Sequence, residues 1–436
     1  MILLSVAQVL LPSGSDTDVI ETRRREILGL NGKLWRFALV AGIAQLSVSI
    51  WTWQFAIFLD GFLTPLDIGL TFTIGTLASL VGYPVSGIVA DIIGRKRTMV
   101  IAFIPLCVGL FMLYLLPVWP FIITSYALTQ FGWSFIIIIS RAMPADEISH
   151  DQYGDSTKKF TMVLLPAFLV DGLSPIIAVT LLQSGESLNY LLLIGAIAGI
   201  FALILTVLFV KETQKPETRE KALQVPKISI SHLGRNFWLF TGGMVGYYLA
   251  WGLAIPYLGP LSTDFWNIDV STYGLTWSVF SLSTVVLMYG LSSFADRGRR
   301  RALIVSLLAN AIIMILFGTG SGVVLMFALN IVWAAPIVIW IGVERSLAID
   351  GVPNQLKGRA LGIYQMITGA TSLIATPAGA FIWEITSSLR ILWIISGLFA
   401  LLSVSIIYLS IYGQSKRSSA SPVLKKSKPV FVNANY

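Results

Sequence analysis

The chain is poor in the residues that catalysis and metal binding rely on. Its single cysteine, Cys107, excludes an intramolecular disulfide and a thiolate metal site. The two histidines, His150 and His232, stand far apart in polar stretches. No P-loop and no His-Glu-x-x-His segment occurs, so ATP-driven pumping and zinc-protease chemistry lack their parts. Nucleophile, base and orienting group converge nowhere, so neither an enzyme nor a cofactor or metal is expected. Charge is scarce as well. Asp, Glu, Lys and Arg make up 12% of 436 residues, about half the share usual in soluble domains. No basic patch interleaved with aromatics lies outside the apolar stretches, which speaks against nucleic acid as a partner.

What the chain has in abundance is apolar sequence. It is 56% hydrophobic, with a mean hydropathy of +0.80. Twelve apolar runs start near Trp35, Leu66, Thr98, Phe121, Phe160, Leu188, Phe237, Tyr273, Ala302, Val323, Ala360 and Ile391. Each is about 20 residues, enough to cross the hydrocarbon core as a helix. Lipid offers the backbone no hydrogen-bond partner, so a spanning segment must satisfy itself as helix. A β-barrel would need shorter, alternating segments. The expectation is an all-α membrane protein.

The basic residues orient it. All Lys and Arg except Arg390 fall in the two tails and in alternate connections between runs. By the positive-inside rule both ends and the central loop are cytoplasmic. The net charge of +8 then finds its counterpart in anionic lipid headgroups of the bilayer. A multi-pass protein of the plasma membrane is expected. Its divisions are a tail over 1–34, one bundle over 35–211, a central loop over 212–236, a second bundle over 237–412 and a tail over 413–436. Residues 1–12 are apolar but lack a basic leader, and read as part of a cytoplasmic tail, not a cleaved signal. The Ser/Lys-rich tail after Tyr412 is expected to be disordered.

The two bundles repeat one another about 204 residues apart. Gly69-Leu70-Thr71-Phe72 returns as Gly274-Leu275-Thr276-Trp277, and Gly94-Arg95-Lys96-Arg97 as Gly298-Arg299-Arg300-Arg301. Arg141, Asp146 and Gly154 return as Arg345, Asp350 and Gly358. Matches in loops and at helix ends cannot come from shared hydrophobicity. Two similar halves in an apolar chain point to a transporter whose halves rock against each other.

The connection after the second run sharpens this. Gly87-Ile88-Val89-Ala90-Asp91-Ile92-Ile93-Gly94-Arg95-Lys96 resembles the loop 2–3 signature of the major facilitator superfamily. A second copy, Asp296-Arg297-Gly298-Arg299-Arg300, stands after the eighth run, where that family also places one. Ile92 replaces a usual basic residue, and the second copy is one residue short. Physically, Gly87 would let a helix approach, Asp91 would accept from a helix N-terminus, and Gly94 would make the turn. Glu147-Ile148-Ser149, Val210-Lys211-Glu212-Thr213 and the stretch from Pro353 to Gly362 resemble further segments of the family's symporters. The resemblance implies two pseudo-symmetric six-helix bundles and alternating access. It also implies inter-half pairs among the loop charges, with Glu344 and Arg345 at the end of run ten, that close an inner gate.

A binding site must use polar groups at mid-membrane depth. Asp171 is the one acidic residue near the centre of a run, and an intramembrane carboxylate is a functional candidate by default. Ala167, Asp171, Ser174 and Ala178 recur at helical spacing, which makes one small, polar stripe. No Lys or Arg lies near mid-run, so Asp171 lacks a standing ionic partner. A carboxyl able to be charged or neutral with substrate occupancy suits proton coupling; it can equally neutralise a cationic substrate or serve a structural hydrogen bond. In the family, runs one, four, seven and ten line the cavity. That implies substrate contacts from Gln45, Gln130, Tyr247, Tyr248, Asn330 and Trp333, whose amides and rings suit hydroxylated or planar solutes. Trp51, Trp53 and Trp251 could join the cavity, but anchoring at the membrane interface or contact with lipid is the stronger expectation for each. A buried cation for phosphates or multiple carboxylates is missing. The expected activity is proton symport of a small uncharged solute, with proton-driven export of lipophilic or cationic compounds as the alternative.

Overall fold

The computed structural model describes residues 30–149, 156–213, 233–296, 298–348, 350, 352 and 357–418. Among these, twelve helices are long and apolar enough to cross a membrane. Spans 1 to 6 are Gly32–Asp60, Pro65–Ile93, Arg95–Leu115, Phe121–Pro144, Met162–Gln183 and Tyr190–Phe209. Spans 7 to 12 are Gly234–Phe265, Val270–Met288, Arg299–Thr319, Val323–Ala348, Ala360–Thr386 and Leu389–Leu409. An even number of crossings puts the start of span 1 and the end of span 12 on one side, called here the terminal face, with the distal face opposite.

Local sequence sets the helix ends. The Asn31 side chain accepts the Leu34 N–H at 2.9 Å and caps span 1. Thr64 caps span 2 through the Asp67 N–H, with Pro65 in the first turn, where its missing N–H costs nothing. Between spans 2 and 3 the chain reverses at Gly94, with φ 98° and ψ 156°, a region that only glycine occupies comfortably. Replacing it, Gly94→Ala, is expected to cost about 1–3 kcal/mol, read as a lowered midpoint in denaturant unfolding of the purified protein. An unchanged midpoint would show that the turn relaxes.

Helix packing follows the repeat. Spans 1·5, 1·6, 2·4, 3·4 and 3·6 pack in the first half, and spans 7·11, 7·12, 8·10, 9·10 and 9·12 in the second. Lipid gives no hydrophobic drive between helices, so association depends on close fit and small residues. The halves join along two seams, span 2 on span 11 and span 5 on span 8, which are images of each other.

The repeated glycines sit on those seams. A Cβ on Gly69 would stand 2.5 Å from the Ala380 Cβ and 3.0 Å from the Tyr257 hydroxyl. One on Gly274 would stand 2.8 Å from both the Trp53 ring and the Val179 side chain. Both contacts lie near the distal face, which is therefore closed.

Spans 1 and 7 break at matching points. Span 1 passes from helix Gly32–Ser49 through a 3-10 turn, Thr52–Gln54, to helix Phe55–Asp60. Span 7 passes from Gly234–Ala254 through a 3-10 turn, Ile255–Tyr257, to Leu258–Pro260 and a π turn, Leu261–Phe265. At the first break two indoles take carbonyls: Trp51 donates to the Ser47 oxygen at 2.9 Å and Trp53 to the Ile50 oxygen at 3.2 Å. Trp51 and Trp53 are thus buried, 0% and 4% exposed, not interface anchors. The helix break turns them inward, where the freed backbone needs donors.

Candidate transport site

Asp171 stands on the buried face of span 5. Its neighbours Gly172, Ser174, Pro175 and Ala178 are buried, while Leu169, Leu173, Ile176 and Ile177 face out. Ser49 donates a short hydrogen bond to its Oδ1, and Gln45 donates to the same oxygen at 3.3 Å. Gln45 also reaches the Ser49 oxygen at 2.7 Å, one turn away on span 1. The other oxygen, Oδ2, accepts from Ser281 of span 8 at 3.1 Å. One carboxyl therefore ties span 1 to span 5 and the first half to the second. The donors are two neutral hydroxyls and an amide. Ser49 and Ser281 carry no signal in the sequence, since serines are common in membrane helices.

The other candidates divide by exposure. Gln45, Gln130 and Tyr248 are half-buried, whereas Tyr247, Asn330 and Trp333 are buried. Gln130 donates to the Tyr126 hydroxyl at 2.6 Å on its own helix. Asn330 donates back to the Met326 carbonyl, and Trp333 donates to Asn310 at 2.9 Å. Those two bonds hold span 10 internally and to span 9. Trp251, placed at the interface by the sequence reading, is half-buried among rings, 5.6 Å from Trp333 and 4.9 Å from Trp340. Phe280 extends this tier, 5.1 Å from Trp333, and adjoins Ser281 in sequence.

Glu344 closes the tier at its other end. Its side chain is turned into the second half, 3% exposed. Tyr248 of span 7 reaches its two oxygens at 2.9 and 3.0 Å, and Tyr364 of span 11 adds a short bond. Tyr248 in turn packs 5.4 Å from Trp340. Position near the end of span 10 suggested a gate charge. Burial under two tyrosines makes Glu344 a second internal carboxyl in this conformation, because helix rotation carries it inward while Arg345 points out.

The loop charges of the terminal face order their own halves here. Lys33 pairs with Glu147 at 2.9 Å, and Arg300 with Asp350 at 3.8 Å, each pair within one half. The Arg95 and Lys96 backbone N–H groups donate to Glu212 at 3.0 and 3.2 Å, so that carboxylate sits on the N-terminus of span 3. Lys96 also donates its ammonium to the Val207 carbonyl. Among the described residues, nothing stands within 4 Å of where a Cβ on Gly87 would lie. Asp91 is exposed on the last turn of span 2, and Gly298 and Arg299 are exposed at the start of span 9. Arg141 and Arg345 are exposed. The side chains of Asp146 and Asp296, and all of Arg297, lie outside the described residues.

Two similar six-helix halves around a carboxyl that bridges them define a multi-pass membrane transport protein. The sequence profile of the Major Facilitator Superfamily matches residues 37–247 and again 240–433, and the chain belongs to that family. It is a transporter, not an enzyme. No curated protein matches it in sequence. Among solved structures it is similar to the nucleoside transporter NupG in two forms. A point mutant aligns with TM-score 0.76 at 14% identity, covering 86% of this chain and 99% of that one. The other NupG structure gives TM-score 0.70 at 14% identity, over 87% and 99%. The human organic anion transporter MFSD10 (TETRAN) aligns with TM-score 0.59 at 14% identity, over 86% and 99%. At that identity the likeness is one of fold.

Proposed function

We propose that this chain moves a small, uncharged organic solute by alternating access, in symport with a proton carried by Asp171, with both termini cytoplasmic in the plasma membrane. The observation that carries the reading is the Asp171 tie. Neutral donors from both halves hold one carboxyl, and adding or removing its proton changes the bond to Ser281 between spans 5 and 8. The closed distal seam supports one of the two states such a cycle needs, open toward the terminal face. The exposed edges of Gln45, Gln130, Tyr248 and Trp251 offer amide, hydroxyl and ring surfaces, which suit a planar or hydroxylated solute.

The test is proton flux in proteoliposomes with a pH dye outside. Its panel holds nucleosides, chosen on the name of a structural relative, with sugars, other neutral metabolites and organic cations. External alkalinisation on adding one neutral solute outside supports symport. A solute that crosses without moving protons would leave a uniporter.

Export of organic cations is the second reading. The observation favouring it is Glu344 at the end of a tier of Tyr248, Trp340 and Trp251, since carboxylate and ring faces together attract cations. In the same assay it would appear as proton entry speeded by cations placed in the lumen.

A further inference from the structure

The second half carries a wall of rings beside the carboxyl that joins the halves. Gly243 and Gly246 turn one face of span 7 onto Ile407 and Ser403 of span 12, and Gly252 turns another onto Ala375 of span 11. Tyr248 and Trp251 occupy the sector between spans 10 and 11, since Tyr248 bonds Glu344 and Trp251 packs on Trp333 and Trp340. Span 11 meets span 2 of the first half, so this sector looks toward the space between the halves. Trp251 is half-buried there. On span 8, Phe280 is half-buried as well, 5.1 Å from Trp333, with Trp277 one turn away at 5.6 Å. Trp251 and Phe280 thus lean on the same buried indole from two helices, at 43° and 41° to its plane.

This wall is not part of the repeated scaffold. At the 204-residue interval, Trp251, Phe280 and Trp333 answer to Ser47, Thr76 and Thr129. The first half packs its own rings, Phe55, Phe72 and Tyr126, on one another. It meets the wall with polar groups instead. Phe280 adjoins Ser281, whose hydroxyl reaches Asp171 at 3.1 Å, and Gln45 reaches the same carboxyl from span 1. Gln45 uses its amide nitrogen on Ser49 and Asp171. Among the described residues no donor takes its side-chain oxygen, so that acceptor is open to a solute.

We propose that the solute is a neutral, flat N-heteroaromatic compound, with its ring face on Trp251 and Phe280 and a ring N–H donated to the Gln45 oxygen. The proposal rests on the transport reading for the solute's place between the halves, and narrows planar and hydroxylated solutes to one class. A flat ring keeps its whole face in contact with an aromatic wall. A saturated polyol is puckered, and its hydroxyls lose water against the rings without gaining partners. The one-sided wall therefore selects a solute with a flat apolar face and a single polar edge.

Binding is read by calorimetry on the purified full chain without a proton gradient, which keeps it apart from the flux test of symport. The probes are uracil and benzimidazole, their N-methylated forms, which stay flat but lose the donor, and glucose, which has hydroxyls and no flat face. At least one of the two flat donors is expected to bind, with its methylated form about tenfold weaker and glucose not at all. Trp251→Leu should weaken that binding about tenfold, and Trp251→Phe should restore most of it. Gln45→Met should remove the preference for the N–H form over the methylated one, a change that a merely structural Gln45 would not produce. A chain that binds neither flat donor overturns the proposal, and binding of glucose alone does so while leaving solute transport standing. Binding that ignores both Trp251→Leu and Gln45→Met also overturns it. A flat donor that binds and crosses without moving protons supports the ring site and ends only the symport reading.

Discussion

Asp171→Asn is expected to abolish proton-driven accumulation while leaving a folded protein that still equilibrates its solute. Asparagine keeps the size and one acceptor oxygen, so Ser49 and Gln45 retain their partner. Its amide nitrogen faces Ser281, whose hydroxyl can turn from donor to acceptor. The tie between spans 5 and 8 survives, and only the exchangeable proton is lost. A gradient of one pH unit supports about tenfold accumulation per symported proton, since one unit is worth about 1.4 kcal/mol. In the variant the ratio should fall to unity, measured as labelled solute inside proteoliposomes at steady state. Accumulation that persists in Asp171→Asn would remove the coupling role. Asp171→Leu serves as contrast. It strands three polar groups inside the bundle, at about 1–3 kcal/mol for each left unsatisfied, and so is expected to lose stability as well as coupling.

The second large effect concerns the seams. Gly69→Leu and Gly274→Leu each put a side chain where the closed distal face leaves no room even for a methyl group. The clash exists only in the closed state. Overpacking of about 1–3 kcal/mol confined to one state shifts the populations by about 5- to 150-fold. Transport should fall accordingly, and distances between spin labels on Ser187→Cys and Ser321→Cys, exposed distal positions of the two halves, should lengthen. Alanine at either position is expected to give a smaller shift of the same sign. Open distances combined with normal transport would show that closing this seam is not part of the cycle. Reduced transport with closed distances would mean that the damage lies elsewhere.

The repeat was visible in the sequence because its glycines and arginines fall where hydrophobicity does not dictate the residue. Why those glycines recur was not visible. Gly69 and Gly274 are spaced by the contacts of spans 2 with 11 and 5 with 8, made between residues far apart in the chain. Glu344 shows the same limit. It directly precedes Arg345, yet a helical step of about 100° turns one inward and the other out. Serines 49 and 281 were unreadable for a related reason, since a serine in a membrane helix most often bonds its own backbone.

The sequence by itself determined the number of spans, the two-half plan and the single carboxyl at mid-span. Hydrocarbon thickness fixes the length of an apolar helix, and the cost of burying charge makes a lone acid conspicuous. It could not determine which way each helix faces. Lipid and protein interior are both apolar, so the side turned toward a neighbour carries little compositional mark. Only the tertiary structure decided that Asp171 joins the halves and that Glu344 turns inward, because each depends on helix rotation and close approach between distant segments.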